Sequence, residues 1–261
     1  MPNTTEAVKQ PAWRLLAAET GVQQLQYDDA PRTNVRALFG HTPRRLLDIG
    51  CAAGAVSGAL KQSIPGLWAW GCELNEAQAK VAATRLDHVT TSARPEWTPN
   101  DVARVKSVDT VLLLDVLEHM YNPWAELEFL AKHLGPDAQV IVSLPNVGHI
   151  SVLTALAHGA FPYSPIGILD VTHVRFFTLA SMRAMFDETG FQIGMEAILT
   201  NTPSPAPDQF PATFEAGKME LRVDSLQEWD RLNAVQFGFR LKAKPRAANK
   251  PAVSWGSSYY R

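Results

Sequence analysis

The segment LLDIGCAAGAVSGAL at residues 46–60 combines a carboxylate with a glycine-containing turn, as in many nucleoside-binding sites. Asp48 ends an apolar run, Gly50 and Gly54 follow in a turn of small residues, and a helical pattern then begins. Glycines permit tight backbone geometry and let a ligand approach the chain closely. A second apolar run ends near Glu73, where a carboxylate can accept hydrogen bonds from a ribose diol. The pattern therefore predicts a site for a nucleoside-containing cofactor.

The composition of this turn distinguishes two classes of cofactor. A dinucleotide fingerprint requires three glycines around a pyrophosphate, but Ala52 stands at the second position and the spacing after Gly50 differs. Asp48 would also repel the anionic pyrophosphate. S-adenosylmethionine has no phosphate, and its amino group and sulfonium would both be favoured by a carboxylate. Charge and spacing thus favour S-adenosylmethionine, and a nicotinamide-dependent oxidoreductase is the weaker alternative.

Alternating strand and helix patterns must position these residues. The predicted buried strands are 44–49, 67–74, 109–115 and 138–144, with a short one at 88–92. The predicted helices are 54–61, 75–86 capped by Asn75, 124–134, and 179–189 capped by Thr178 and stopped by Gly190. Two last strands, at 191–199 and 234–243, are expected to close the sheet at one edge. This order predicts a parallel, doubly wound α/β sheet.

Three histidines lie in polar segments among these elements. His119 lies four residues after Asp115 in DVLEH, and His149 follows a predicted strand. His173 lies in DVTHVR, a polar cluster that begins at Asp170 and in which that carboxylate can pair with an arginine. Histidine suits proton transfer because its pKa lies near neutrality. Ligands of open α/β sheets bind at the carboxyl ends of strands, where Asp115 is expected.

Segments outside the alternation suggest a cap, a loop and a tail. Residues 1–43 read as an N-terminal helical cap, in which Tyr27 is expected to close over the cofactor. The main domain is predicted at 44–245, and 201–225 is predicted to be a surface loop because of its prolines. The basic tail at 246–261 is expected to be mobile.

Composition narrows the classes of partner and compartment. The net charge of −2 over 261 residues gives no reason to expect a nucleic-acid or membrane partner. The two cysteines make a disulfide framework improbable and suit a reducing compartment. No apolar run is long enough for a signal peptide or a membrane span. We therefore expect a soluble, cytoplasmic protein.

These motifs together resemble the class I S-adenosylmethionine-dependent methyltransferases. Asp48, Gly50 and Gly54 match the family's D/E-x-G-x-G-x-G motif, with Ala52 in place of the middle glycine. Glu73 matches the ribose-binding acid of the family.

Two further segments narrow the resemblance to one branch. DVLEH at 115–119 matches the D-V-x-E-H motif of the branch that includes ubiquinone-biosynthesis O-methyltransferases and many sugar or natural-product methyltransferases. Residues 143–178 are similar to a region of uncharacterised relatives in that branch. The resemblance implies a Rossmann-like, mostly parallel seven-stranded sheet with an antiparallel closing strand. It also implies S-adenosylmethionine as cofactor, S-adenosylhomocysteine as product, and a small-molecule acceptor such as a quinone, phenol, sugar or natural-product intermediate.

The resemblance and the residue chemistry together suggest roles for individual residues. The expected cofactor-binding residues are Asp48, Gly50, Cys51, Gly54, Glu73, Leu74 and Asp115. The expected catalytic residues are His119, His173 and Asp170. The expected acceptor contacts are His149, Tyr163, Arg175 and Phe176. Glu118 is an alternative base or metal ligand, but no histidine–carboxylate spacing demands a metal, and none is predicted.

Methylation of a hydroxyl is the expected reaction, with His119 or His173 removing the proton. Methylation of carbon or nitrogen stays open, because the fold does not fix the nucleophile. The alternative from another class is a non-catalytic protein that binds the cofactor for regulation or partner recognition. The sequence does not identify the acceptor or the oligomeric state.

Overall fold

The computed structural model describes residues 31–245. The predicted helical segment before residue 31, the closure by Tyr27 and the basic tail at 246–261 lie outside the described residues.

A seven-stranded sheet forms the centre of the described chain. The strands, in chain order, are β1 (Arg45–Ile49), β2 (Trp68–Cys72), β3 (His88–Thr90), β4 (Thr110–Leu114), β5 (Gln139–Pro145), β6 (Phe191–Asn201), β7 (Ala212–Ala216), β8 (Met219–Val223) and β9 (Ala234–Ala243). The order across the large sheet is β3-β2-β1-β4-β5-β9-β6. β1 to β5 pair in parallel, whereas β9 inserts antiparallel between β5 and β6. The predicted mostly parallel sheet with an antiparallel closing strand is confirmed.

Helices follow most strands, as the alternating pattern predicts. They are α1 (Ala55–Ser63), α2 (Glu76–Ala82), α3 (Pro99–Val105), α4 (Pro123–His133), α5 (Ile150–Ala157), α6 (Leu179–Glu188) and α7 (Leu226–Asn233). The side chains of Asn75 and Thr178 accept hydrogen bonds from the first turns of α2 and α6, which confirms both predicted caps. α2 ends four residues before its predicted end, where the Thr84 hydroxyl donates to the Val81 carbonyl. Within residues 31–245, no helix is long and apolar enough to cross a membrane.

The side chains of the central strands alternate between two apolar layers. Leu46, Leu112 and Ile141 pack on one face with Leu60 of α1 and with a 3₁₀ helix at Thr33–Leu38. Adjacent residues of the same strands point to the opposite face, because successive side chains of a strand alternate. This second layer, which includes Leu47, Val111 and Val140, packs against α4 and α6. The sheet is therefore covered on both faces, which keeps its carboxyl edge free for a site.

Phe186 of α6 is a sensitive position in this second layer. Its side chain is fully buried, and its ring packs edge-on against Phe239 of β9 at 5.0 Å between centroids. We expect Phe186→Ala to lower the free energy of unfolding by about 3–5 kcal/mol, through lost burial and a residual cavity. Urea denaturation would measure the change, with Leu226→Ala at a half-exposed position as the control. An equal, small effect of both substitutions would contradict this packing.

The prediction of a loop over 201–225 is wrong for its second half. β7 and β8 form an antiparallel hairpin there, joined by the two-residue turn Gly217-Lys218. Gly217 has a φ of 61°, and a Cβ on it would lie 2.4 Å from the His158 ring. The prolines at the start of the segment masked the alternating ATFEA and MELRV patterns and the turn between them.

Three helices without a sequence-based prediction carry recognisable caps. Thr98 and Asp101 form a capping box at α3, and the Ser225 side chain caps α7. The His149 side chain accepts a hydrogen bond from the Ser151 amide at the start of α5. Thr98 and Ser225 are of residue types that commonly cap helices, whereas a histidine cap has no common sequence signature.

Candidate functional site

A cavity of about 490 Å³ opens at the carboxyl ends of β1, β4 and β5. Its volume lies in the range of small-molecule and cofactor sites. The turn after β1 forms one wall, and the residues just after β4 form another. The chain between α5 and α6 contributes Ile166, Gly167, Ile168, Asp170 and His173. The site therefore lies where open α/β sheets bind ligands.

The turn after β1 has a backbone that depends on left-handed residues. Gly50 and Gly54 have φ values of 75° and 73°, and Ala52 between them has a φ of 46°. A Cβ on Gly50 would lie 2.5 Å from Cγ2 of Val116, so only glycine fits there. Ala52 takes a conformation that glycine adopts more readily, at a cost that the rest of the turn must offset. The substitution of the middle glycine therefore leaves the turn intact.

Asp48 is a buried carboxylate in the wall of the cavity. It is only 4% exposed, and the Ser57 hydroxyl of α1 donates a hydrogen bond to it. Burial raises the pKa of Asp48 to about 6; Ser57 and the charge of Arg32 act to lower it, and the charge of Glu73 acts to raise it. Ionised Asp48 is therefore costly unless a cation lies next to it.

Glu73 ties the turn to the end of β2. Its Oε2 accepts a hydrogen bond from the Ala52 amide at 2.9 Å, and its Oε1 accepts one from the Asn75 amide at 2.8 Å. The carboxylate is thus held beside the turn, with one backbone donor on each oxygen. Each oxygen keeps a second lone pair for another donor.

The structure places the remaining predicted cofactor residues differently. Cys51 lies in the cavity wall, and burial raises the pKa of its thiol, which is therefore no nucleophile at neutral pH. Gly54 forms the N-cap of α1. Leu74 is 65% exposed on the surface beyond β2. The backbone, not the side chain, is what Leu74 can offer a ligand.

Asp115 is the best-partnered acid of the cavity. It has a φ of 52°, so β4 ends abruptly there. Arg32 forms an ion pair with its carboxylate at 3.0 Å, the Ser143 hydroxyl donates to it at 2.9 Å, and the Gln236 amide donates to it at 2.7 Å. These contacts join the N-terminal segment, β5 and β9 at one carboxylate. No motif marks Arg32 or Gln236 in the sequence, and Ser143 was noted only as the first residue of the segment 143–178, with no role at this carboxylate.

Glu118, His119 and His173 come together at the far side of the cavity. One ligand atom of each residue, an imidazole nitrogen or a carboxylate oxygen, lies within 4.8 Å of the others. The two imidazole rings meet edge-on at 4.8 Å between centroids. The Val174 and Arg175 amides donate to the Glu118 carbonyl at 2.9 and 3.0 Å, which fixes the two segments together. The fold thus assembles a histidine–carboxylate cluster from two distant segments. The sequence spacing did not reveal this cluster, and the prediction of no metal was made without it.

Glu118 is buried without a hydrogen-bond partner. Its residue is 1% exposed, and neither carboxylate oxygen has a hydrogen-bond partner among the described residues. His173 Nε2 lies 4.0 Å from Oε1, which is too long for a hydrogen bond. Burial, and secondarily the charge of Asp115, raises the pKa of Glu118 well above its usual range. An ionised carboxylate buried in this way is costly unless hydrogen bonds or a cation offset its charge.

Asp170 orients His119 through Thr172. The Thr172 hydroxyl donates to Asp170 Oδ1 at 2.7 Å, and the same hydroxyl oxygen lies 3.0 Å from His119 Nδ1. Because the hydroxyl proton is committed to Asp170, the Nδ1–H of His119 is the donor to Thr172. Asp170 therefore acts through Thr172 and is a positioning residue in this geometry.

The predicted acceptor contacts lie beside the cavity or away from it. His149 Nε2 contacts the Thr202 hydroxyl at 3.0 Å, so both its nitrogens have partners at the start of α5. Arg175 donates to the carbonyls of Val174 and Tyr121, and the suggested pair with Asp170 does not form. Tyr163 and Phe176 both pack edge-on against Phe161, at 5.4 and 5.3 Å between centroids. None of the four belongs to the described cavity wall.

The amino-acid sequence matches the model of one known protein family over most of its length. Residues 23–194, about two thirds of the chain, match the family described as a methyltransferase domain. Among curated relatives, a ubiquinone biosynthesis O-methyltransferase of Photobacterium profundum is 28% identical over 162 residues, which cover 59% of this chain. The alignment spans 65% of that relative's length, a little under two thirds.

Solved structures of low identity share the fold. The magnesium protoporphyrin IX methyltransferase of Synechocystis, solved with bound S-adenosylhomocysteine, has a TM-score of 0.50 at 18% identity, and the match covers 89% of this chain and 93% of that one. An S-adenosylmethionine-dependent methyltransferase of Thermotoga maritima has a TM-score of 0.51 at 16% identity, covering 82% and 87% of the two chains. With the family match and the sheet order, these findings show that the chain belongs to the class I S-adenosylmethionine-dependent methyltransferases.

Proposed function

We propose that the protein transfers a methyl group from S-adenosylmethionine to a hydroxyl group of a small molecule. The observation that carries the proposal is the composition of one cavity. Asp48 and the glycine turn after β1 line one part of it, and His119 and His173, from the segments after β4 and after α5, line another. The first part suits a cationic nucleoside, and the second suits removal of a proton from an acceptor.

The residues of the first part fit the cofactor. When bound, S-adenosylmethionine supplies a methyl group made electrophilic by the sulfonium. The Asp48 carboxylate offers a negative partner for the positive charges of the cofactor. The left-handed turn at Gly50 and Gly54 lets a ligand lie against the backbone. Glu73 retains a free lone pair on each oxygen for the hydroxyls of a ribose.

The residues of the second part can receive the proton of the acceptor. His173 Nδ1 lies 3.0 Å from the Ile168 carbonyl, which only accepts, so this nitrogen carries the proton. His119 Nδ1 carries the proton for the same reason, because it lies 3.3 Å from the Thr172 carbonyl. The Nε2 lone pair of each imidazole is thereby left for chemistry. Burial lowers the pKa of both histidines, which keeps them neutral near pH 7.

The names of the relatives support oxygen as the methylated atom. The curated relatives are named O-methyltransferases of ubiquinone biosynthesis, at 26–28% identity. The DVLEH segment, which supplies Glu118 and His119 to the acceptor side, resembles the motif of that branch. We accordingly place quinones, phenols, sugars and hydroxylated natural-product intermediates first among the acceptors.

Calorimetric titration with S-adenosylmethionine, S-adenosylhomocysteine and NAD, followed by turnover on a panel of these acceptors, tests the proposal. Micromolar binding of the first two compounds, with methylation of a hydroxylated acceptor, would support it. Binding without any turnover would favour a non-catalytic, cofactor-binding protein. Binding of NAD alone would overturn the proposal.

Cofactor affinity is expected to fall as the pH drops below about 6. A cationic ligand favours ionised Asp48, so it binds best when this carboxyl, whose pKa burial raises to about 6, has lost its proton. Below that pH each unit should weaken binding by up to about tenfold, because binding must then release one proton. Calorimetric titration with S-adenosylmethionine between pH 5 and 8 measures the effect.

A control must show that Asp48, and not another charged group near it, causes this pH dependence. Arg32 and Glu73 are the charged groups that act on Asp48, and two backbone amides hold the Glu73 carboxylate. Asp48→Asn removes the titrating carboxyl and should flatten the profile between pH 5 and 7. A profile of unchanged slope in Asp48→Asn would show that another group is responsible.

A further inference from the structure

We propose that Glu118, His119 and His173 form a binding site for one divalent transition-metal ion, open to the cavity. The binding itself stands on the geometry of these three side chains. The role that we give the ion rests on the proposed function, because it concerns the acceptor hydroxyl. The site is formed by the turn after β4 and by the segment between α5 and α6.

The spacing of the ligand atoms suits a single ion. All three lie within 4.8 Å of one another. Donor atoms bound to one zinc ion at about 2.0–2.2 Å lie roughly 3–4 Å apart. Small rotations of the side chains would therefore bring the three atoms to binding distance. The hydrogen bonds from Val174 and Arg175 to the Glu118 carbonyl already fix the two backbone segments beside each other.

Glu118 supplies an independent indication of a missing partner. A carboxyl group that is 1% exposed normally has hydrogen bonds to both oxygens, yet neither oxygen of Glu118 has one within the described residues. The Glu118 carboxylate lies beside the imidazoles of His119 and His173 but forms no hydrogen bond with either ring. This polar cluster therefore lacks a partner at its centre. A cation would satisfy both oxygens and both rings at once.

The two histidines already have the tautomer of metal ligands. Each donates Nδ1–H to the chain, His173 to the Ile168 carbonyl and His119 to Thr172. Metal-bound histidines almost always donate their second nitrogen in this way, which fixes the ring and raises its basicity. Asp170 extends the chain of hydrogen bonds behind His119, as an outer carboxylate commonly does.

The donor set and the charge of the surroundings indicate which ion fits. One carboxylate and two imidazoles suit zinc and the neighbouring first-row divalent ions better than magnesium or calcium, which prefer oxygen alone. Asp115 and Asp170 add negative charge close to the rings. Three protein ligands leave at least one position open, which is the pattern of catalytic rather than structural sites.

The ion would activate the acceptor at the open position. A hydroxyl bound to a divalent ion would lose its proton to solvent water more readily, because the ion stabilises the oxyanion that results. The cluster would then lower the pKa of the acceptor hydroxyl instead of offering a free imidazole as a base. The two mechanisms share His119 and His173, and they differ in whether a metal ion is bound between these rings and Glu118.

Titration of the full, chelator-treated chain with Co²⁺ tests the site by the visible absorption of the bound ion, without any need for turnover. We expect one Co²⁺ per chain, displaced by Zn²⁺. Glu118→Gln and His173→Gln should each weaken binding by more than about 100-fold, since loss of outer partners alone costs 10- to 100-fold. His41→Gln, at an exposed histidine before β1, should bind like the wild type.

Parallel titration with S-adenosylhomocysteine separates the two proposals and checks folding. If this ligand binds and Co²⁺ does not, the metal site is wrong and the proposed function stands. If Co²⁺ binds and the ligand does not, the proposed function fails and the site stands. Equal Co²⁺ binding by wild type, Glu118→Gln and His173→Gln would overturn the assignment. Should buried Glu118→Gln fail to fold, exposed His119→Gln serves in its place.

Discussion

Replacement of His119 by asparagine is expected to lower kcat for methylation of a hydroxylated acceptor by about 10²–10⁴-fold. The lone pair of His119 Nε2 is available at the cavity, because Thr172 holds the Nδ1 atom of the same ring. Asparagine keeps a polar side chain but loses an imidazole nitrogen of suitable pKa. Steady-state transfer of labelled methyl groups from S-adenosylmethionine would measure the change.

The same substitution should leave affinity for S-adenosylhomocysteine within about twofold, because Asp48 and the glycine turn follow β1, whereas His119 belongs to the segment after β4. His41→Asn provides the matched control, since it removes an exposed imidazole from the opposite end of β1. A variant that retains a third or more of the wild-type kcat would remove His119 from the chemistry, whether as base or as metal ligand.

Local patterns were sufficient to predict the sheet and its ligand-binding edge. Buried parallel strands are nearly continuous apolar runs, so β1, β2, β4 and β5 could be located within one or two residues of their ends. Asp48 and Asp115 lie at such ends, and the structure places both in the cavity wall. The short side chains of Asn75 and Thr178 also fix the starts of two helices locally.

The partners of the site residues could not be predicted in the same way. Arg32 reaches Asp115 from 83 positions earlier in the chain, and Gln236 reaches it from 121 positions later. Glu118 meets His173 only because two loops dock through backbone amides of Val174 and Arg175. Such contacts depend on how the whole chain packs, and no spacing rule encodes them. His149 is the opposite case, because its position after a strand suggested an acceptor contact, whereas its side chain caps α5.

Asp48→Asn is expected to weaken binding of S-adenosylmethionine by about 10- to 100-fold at pH 7.5. This corresponds to the loss of one charge-assisted hydrogen bond, worth about 1.5–3 kcal/mol. Asparagine has nearly the same shape and can still accept a hydrogen bond from Ser57, so the substitution removes charge with little change in packing. Calorimetric titration of both proteins would measure the difference.

The stability of Asp48→Asn distinguishes lost recognition from lost folding. A carboxyl whose pKa is raised in the folded state binds its proton more tightly there than in the unfolded chain. Its contribution to stability is therefore complete below the unfolded pKa and is lost as the pH rises through about 6. At pH 7.5 a neutral asparagine avoids the cost of the buried charge, so its Tm without ligand should equal or exceed that of the wild type. If Asp48→Asn bound S-adenosylmethionine as tightly as the wild type, Asp48 would not be the partner of the cationic cofactor. A lower Tm together with weak binding would mean that Asp48 supports the turn instead of contacting the ligand.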